Sequence, residues 1–137
     1  MITKYIFSSV FLVLTIGYSP ASAKQTQVYF GTGRGGEGIY RAQLENTTGT
    51  LSPITLAVAI DFPGFLAPHP KHPYLYSTTT GCDKPNTGGV AAYRIQADGS
   101  LTLLNKQATL GRNPCHVSID ATGQTLIVAN YSSGNVS

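Results

Sequence analysis

His116 is the residue whose type and setting best suit it to chemistry. It stands in the run Pro114-Cys115-His116-Val117-Ser118-Ile119, where an earlier, similar stretch of the chain carries Phe65. Histidine exchanges protons near neutral pH, so here it can serve as general base for water attacking a carbonyl, or polarise that carbonyl. The competing role is a hydrogen bond between adjoining structural units. Arg112, four residues upstream, suits bidentate capture of a carboxylate or phosphate, or else is a solvated loop charge. Asn130 and Tyr131 stand where the other stretch has Thr79 and Thr80. Both are candidate substrate contacts, the tyrosine by stacking or hydrogen bonding, unless it only covers a junction. Arg34, in a glycine-rich loop, completes the candidate set. No G-x-S-x-G elbow and no carboxylate pair of defined spacing accompanies them, so serine-hydrolase and glycosidase chemistry lacks support.

These residues are positioned by a repeat. Pro63 to Thr79 (PGFLAPHPKHPYLYSTT) aligns without a gap on Pro114 to Asn130 (PCHVSIDATGQTLIVAN), 51 positions away. Each half runs from proline through a short apolar segment, breaks at a polar turn and enters a second apolar run. The register continues, since Gly89 follows Gly38 by 51 residues and both open a run of strand character. Short β-type runs bounded by turn residues, repeated at this period, predict an all-β fold of the β-propeller type.

Such a blade has four antiparallel strands, A to D from the channel outward. One complete blade is expected, with A near Phe65 to Pro68, B near Tyr74 to Thr79, C near Gly89 to Ile95 and D near Leu101 to Thr109. A preceding blade supplies B, C and D without an A, and a following one supplies A, B and the start of C at Gly134. About one full blade flanked by two partial ones reads as the front of a longer propeller. Strand order then puts the D-to-A and B-to-C connections on one rim of the channel. That rim gathers Arg112, Asn113 and His116, Arg34 and Glu37, Asp83, Lys84 and Asn86, and Asn130 with Tyr131. His69 and His72 fall in an A-to-B turn on the opposite rim and read as turn residues. Gly31-Thr32-Gly33-Arg34-Gly35-Gly36 satisfies G-x-G-x-x-G, but the strand-like GIYRAQL follows it. Dinucleotide binding needs a helix there, so the motif reads as a hairpin loop.

Residues 1–23 read as a secretory signal peptide, with Lys4, the apolar stretch Tyr5 to Ile16 and the small-residue site Ala21-Ser22-Ala23. The propeller segment is then 24–137, and a periplasmic or secreted location follows. A net charge of +3 without any basic run gives no support for a nucleic-acid partner. No amphipathic helical stretch supports membrane binding after cleavage of the leader. Cys82 and Cys115 lack metal-ligand spacing, and an oxidising compartment allows a disulfide between them without indicating one. No metal or other cofactor is expected, and oligomeric state is not legible.

The segment PCHVSIDATGQTLIVANYSSGNVS resembles the second-repeat hallmark of the seven-bladed lactonase propellers: P-x-H, an apolar strand, D-x-x-G, another strand, then A-N-Y-x-x-G-x-V. Val28 to Thr32 with Gly38-Ile39-Tyr40 resembles the opening repeat of that family, and Pro63 to Tyr76 its P-x-F-L-A-x-H-P…L-Y segment. The resemblance spans nearly all of 24–137. It implies a metal-free scaffold working on small lactones, either as a hydrolase of the 6-phosphogluconolactonase kind or as a carboxymuconate cyclase-like isomerase. The cyclase branch draws its proposed His, Glu and Arg from later blades, so none is assigned here. A non-catalytic exported propeller that binds a small ligand or a protein on the same rim is the alternative.

Overall fold

The structure, a computed structural model, describes residues 11–13 and 24–137. Among these, the regular elements are strands and one short 3-10 turn at Gly33–Gly35. The first sheet runs β1 (Phe11–Val13), β2 (Gln25–Gly31), β3 (Gly38–Glu45) and β4 (Thr55–Ala59) in spatial order. The second runs β5 (Leu66–Pro68), β6 (Tyr74–Thr80), β7 (Gly88–Ile95) and β8 (Leu101–Ala108). The third contains β9 (Pro114–Ile119), β10 (Leu126–Asn130) and β11 (Asn135–Val136). Every pairing is antiparallel, and each sheet is a meander in chain order, as blades require.

The repeat survives at the level of hydrogen-bond register. Leu66 faces Ser77 across the second sheet, and Val117 faces Val128 across the third, each pair displaced by 51 residues from the other. One strand was not expected. β1 lies inside the stretch read as a leader, yet its backbone pairs with β2, Phe11 opposite Gly31 and Val13 opposite Tyr29. The inner edge of β2 presents unpaired amides and carbonyls, and an extended apolar tripeptide can satisfy them. The remainder of residues 1–23 lies outside the described residues, so the leader itself is not described.

Alternation along the strands explains how the sheets stack. Successive side chains of a strand point to opposite faces, so the second sheet, with a neighbour on each side, buries both. Leu66, Leu75, Ala91, Tyr93 and Leu101 pack against Tyr29, Ile39, Ala57 and Ile60 of the first sheet and its exit loop. Ala67 meets Val117 and Val128 of the third sheet on the other face, with Phe65 and Val90 alongside. The central strand β6 is built mainly from β-branched and aromatic residues that suit a pleated, two-sided surface.

Hydrogen bonds match the polar groups caught in these interfaces. Tyr29 donates to the Gly99 carbonyl of the second sheet at 2.8 Å, and the hydroxyls of Ser77 and Tyr93 lie 2.9 Å apart. Burial pushes both phenols up to about 12, with the Arg41 charge opposing at Tyr29 and the Ser77 hydroxyl at Tyr93. The unfolded chain ionises these phenols near 10 while the folded chain holds them neutral. Their contribution is therefore complete below about pH 10 and drains away as pH rises towards about 12. Denaturation midpoints should be flat up to that window and then fall, and Tyr29→Phe with Tyr93→Phe should reduce the alkaline slope. A slope unchanged in the double variant would show that other groups set the alkaline limit.

Candidate functional site

The connections expected on one rim are tied to one another through the backbone. In the first blade Gly33 donates to the Pro63 carbonyl at 2.9 Å, and Ile60 donates to that of Glu37 at 3.2 Å. Further round, Gly88 donates to Gly111 at 2.8 Å, Tyr131 to Asn113 at 3.0 Å and Ser132 to Arg112 at 3.2 Å. Each loop leaving an outermost strand thus rests on the loop joining a second strand to a third. This arrangement forms two groups of candidate residues on the rim.

Arg112 and Tyr131 form one group. Both are exposed, and the Arg112 amide also donates to the Ser133 hydroxyl at 2.9 Å. Arg34 belongs to the other group, where its guanidinium carbon sits 5.4 Å from the centre of the Phe62 ring, a cation–π arrangement that leaves the charge in solvent. Arg34 approaches Phe62, whereas Arg112 and Tyr131 lie one blade further round.

His116 lies on β9, the innermost strand of the third sheet, opposite Ala129. Its imidazole is exposed and rests on the ring of Phe65, centroids 4.2 Å apart and planes tilted by 48°. The two residues that occupy the same place in successive repeats therefore touch across the blade boundary. The sequence contrast between them becomes a physical pair, one ring packing and the other able to exchange a proton. The observed contact between His116 and the neighbouring blade is ring against ring.

Asn130 is placed differently from the other candidates. It is only 2% exposed, and its amide oxygen accepts from the Thr109 hydroxyl at 2.7 Å while its nitrogen donates to the Ser137 hydroxyl at 3.1 Å. Ser137 in turn donates to the Thr109 carbonyl. The side chain sits under Gly111, where a Cβ would collide with it, and so supports the loop that carries Arg112. In the preceding repeat, Thr79 holds the corresponding loop through the Asp61 carbonyl at 2.6 Å. The substitution of Asn for Thr keeps the bracing function with a longer reach.

Sequence reasoning passed over the backbone of these loops. Phe62 and Asn113, 51 residues apart, have φ of +50° and +54°. Each stands immediately before the proline that opens a repeat half. Asparagine visits this left-handed region readily and phenylalanine does not, so the first loop is held there by its surroundings, among them the Thr79 bond to Asp61 and a bond from the Phe65 amide to the Thr78 hydroxyl at 2.9 Å. The signal was present as Phe-Pro and Asn-Pro at equivalent repeat positions. Asn113→Val should cost about 1–2 kcal/mol, and Asn113→Gly a few tenths at most, measured as a difference in urea midpoint. Equal losses for the two would mean that the asparagine side chain, not its backbone conformation, matters.

His69 lies in the turn between β5 and β6, where its Nδ1 accepts from the amides of Lys71 and His72 at 3.0 Å each. That fits a turn role on the far rim. The glycine-rich stretch is a loop with its 3-10 turn feeding directly into β3. Cys82 and Cys115 are free thiols, and burial pushes the Cys82 thiol up. Among the described residues no cluster of three or more His, Cys, Asp or Glu side chains is arranged to hold a metal ion.

The profile of the lactonase seven-bladed β-propeller family matches residues 27–137. Over 103 residues the chain is 41% identical to a 6-phosphogluconolactonase of Bacillus subtilis, a match covering 74% of this chain and 29% of that protein. A solved structure from Bacteroides fragilis superimposes with a TM-score of 0.71 at 26% identity, over 86% of this chain and 33% of the other. The periplasmic gluconolactonase PpgL of Pseudomonas aeruginosa shares the fold, with a TM-score of 0.61 at 22% identity over 90% of this chain and 31% of its own. The chain thus spans about a third of the length of these relatives.

Proposed function

The chain belongs to the lactonase family of seven-bladed β-propellers, and from that premise we propose that the whole protein hydrolyses a small sugar-like or carboxylated lactone at the rim described above. The observation that carries this reading is His116, an imidazole on an innermost strand, packed on the residue that takes its place in the preceding repeat. In the proposed step the imidazole removes a proton from water as the water oxygen bonds to the lactone carbonyl carbon. The tetrahedral adduct then expels the ring oxygen, and the imidazolium returns the proton to that oxygen, leaving a hydroxy acid. Arg112 is the group for a carboxylate or phosphate on the substrate, with Tyr131 beside it for stacking. Arg34 serves as a second anion contact from the first blade. Asn130 acts beneath them by holding the Arg112 loop.

The family relationship favours hydrolysis over a propeller that only binds. The test is acid release from δ-gluconolactone and from its 6-phospho derivative, using a chain that carries all the blades. Hydrolysis well above the spontaneous rate is expected for at least one. A protein that binds these compounds yet leaves their opening rate untouched would be a binder. Loss of preference for the charged substrate in Arg112→Ala would assign the anion contact.

Export belongs to the same proposal. The leader pattern ending at Ala23 supports a location outside the cytoplasm, and mass spectrometry of the protein recovered from cells should give Lys24 as the first residue. An intact Met1 start on the mature protein would refute it.

A further inference from the structure

Between the first two sheets the contact changes character along the strands. Tyr29, Arg41 and Thr55 are cross-strand partners, and Gln27 pairs with Gln43, so all five share the face that meets the second sheet. Tyr29 closes the apolar contact. Beyond it the face turns polar. Gln27, Arg41, Gln43, Ser52 and Thr55, with Asp98 from the β7–β8 turn, line a cleft of about 210 Å³. The cleft opens at the end of the blades away from His116, because the β7–β8 turn and the loops of the candidate site lie at opposite ends of the strands.

The hydrogen bonding inside it is uneven. Asp98 Oδ1 accepts from both the amide and the hydroxyl of Ser100, at 2.9 and 2.7 Å, and these bonds pull the carboxyl below its ordinary range. Its Oδ2 faces a terminal nitrogen of Arg41 at 3.7 Å, too far for a hydrogen bond. The Arg41 Nε is buried with no partner. A buried donor left unmatched is costly, and an ion pair of this length with Asp98 largely in solvent recovers little. Stability alone gives no reason for an arginine here.

The charges of Arg41 and Asp98 cancel, so the cleft has no net attraction for either an anion or a cation. It offers donors and acceptors side by side, and a hydroxyl group does both at once. Two neighbouring hydroxyls of one molecule can accept from the terminal guanidinium nitrogens and donate to Asp98 Oδ2, bridging from the cleft side a pair too far apart to bond directly. We propose that this interblade cleft binds a small neutral polyol, with Arg41 and Asp98 as the principal pair and Gln43, Ser52 and Thr55 as further partners.

The probe is D-sorbitol, titrated into the isotope-labelled protein carrying all the blades while the side-chain amide resonances of Gln27 and Gln43 are followed by NMR. Saturable shifts at these amides are expected, with a dissociation constant on the order of millimolar. Arg41→Met and Asp98→Asn should each weaken binding about tenfold, and Arg112→Ala should leave it unchanged. D-gluconate, of similar size but charged, should bind less well. Absence of a saturable shift in the unmodified protein overturns the proposal, whether or not the variants fold. It is equally overturned if sulfate or gluconate is preferred to sorbitol, or if Arg112→Ala abolishes the shifts, which would place the ligand on the other rim.

Discussion

His116→Ala, made in a chain carrying the whole propeller, is expected to lower lactone turnover by about two to four orders of magnitude while the protein still folds. The expectation rests on where the imidazole stands. It stands on an innermost strand and, among the described residues, its ring rests on Phe65, the packing ring that holds the same place in the preceding repeat. The repeat supplies a sharper control than alanine. His116→Phe restores the residue used by the preceding blade, retains a ring against Phe65 and removes only the capacity to exchange a proton. Both variants should therefore melt close to the parent, and both should be poor catalysts. Were His116 instead a purely structural link, alanine would cost about 1–3 kcal/mol with activity per folded molecule almost unchanged, and phenylalanine would recover the stability. Normal turnover in either variant removes His116 from the chemistry.

The blades were legible because repetition writes the same physical requirement twice. A 51-residue displacement of proline, apolar run and turn marks out the pairing of β5 with β6 and of β9 with β10. The rim followed from strand order alone. Single residues were harder to place, because a sequence difference between repeats does not say which way the new side chain points. Asn130 and His116 both depart from the repeat, yet one is a buried brace and the other an exposed ring. The difference lies in partners from distant segments, Thr109 and Ser137 for Asn130, which no local pattern announces. The strand β1 lies within the leader-like stretch, because a leader's apolar core and a short apolar edge strand look the same in sequence, and cleavage after Ala23 would remove it. The polar cleft depends on the fit between two blades, and Arg41 reads in isolation as an ordinary outward residue of strand β3.

That fit between blades sets the second large effect, expected for Tyr29→Ala. Tyr29 is fully buried and packs in one cluster with Leu75, Tyr93 and Leu101 of the second sheet. Its hydroxyl donates to the carbonyl of Gly99, a residue 70 positions later in the chain. Removing the ring deletes apolar packing at the first interface and leaves that carbonyl without its donor, a combined loss of about 3–5 kcal/mol. Tyr29→Phe separates the two parts, because it keeps the packing and should cost about 1–3 kcal/mol for the hydrogen bond alone. Leu56→Ala, on the exposed side of β4, serves as the reference and should stay within about 0.5 kcal/mol. Against the roughly 5–15 kcal/mol that stabilises a typical domain, the Tyr29→Ala loss would move a urea midpoint by a large fraction of its value. If Tyr29→Ala behaves like Leu56→Ala, the first and second sheets are not coupled through this contact, and the cleft beside Tyr29 would lose the rigid wall that the polyol site requires.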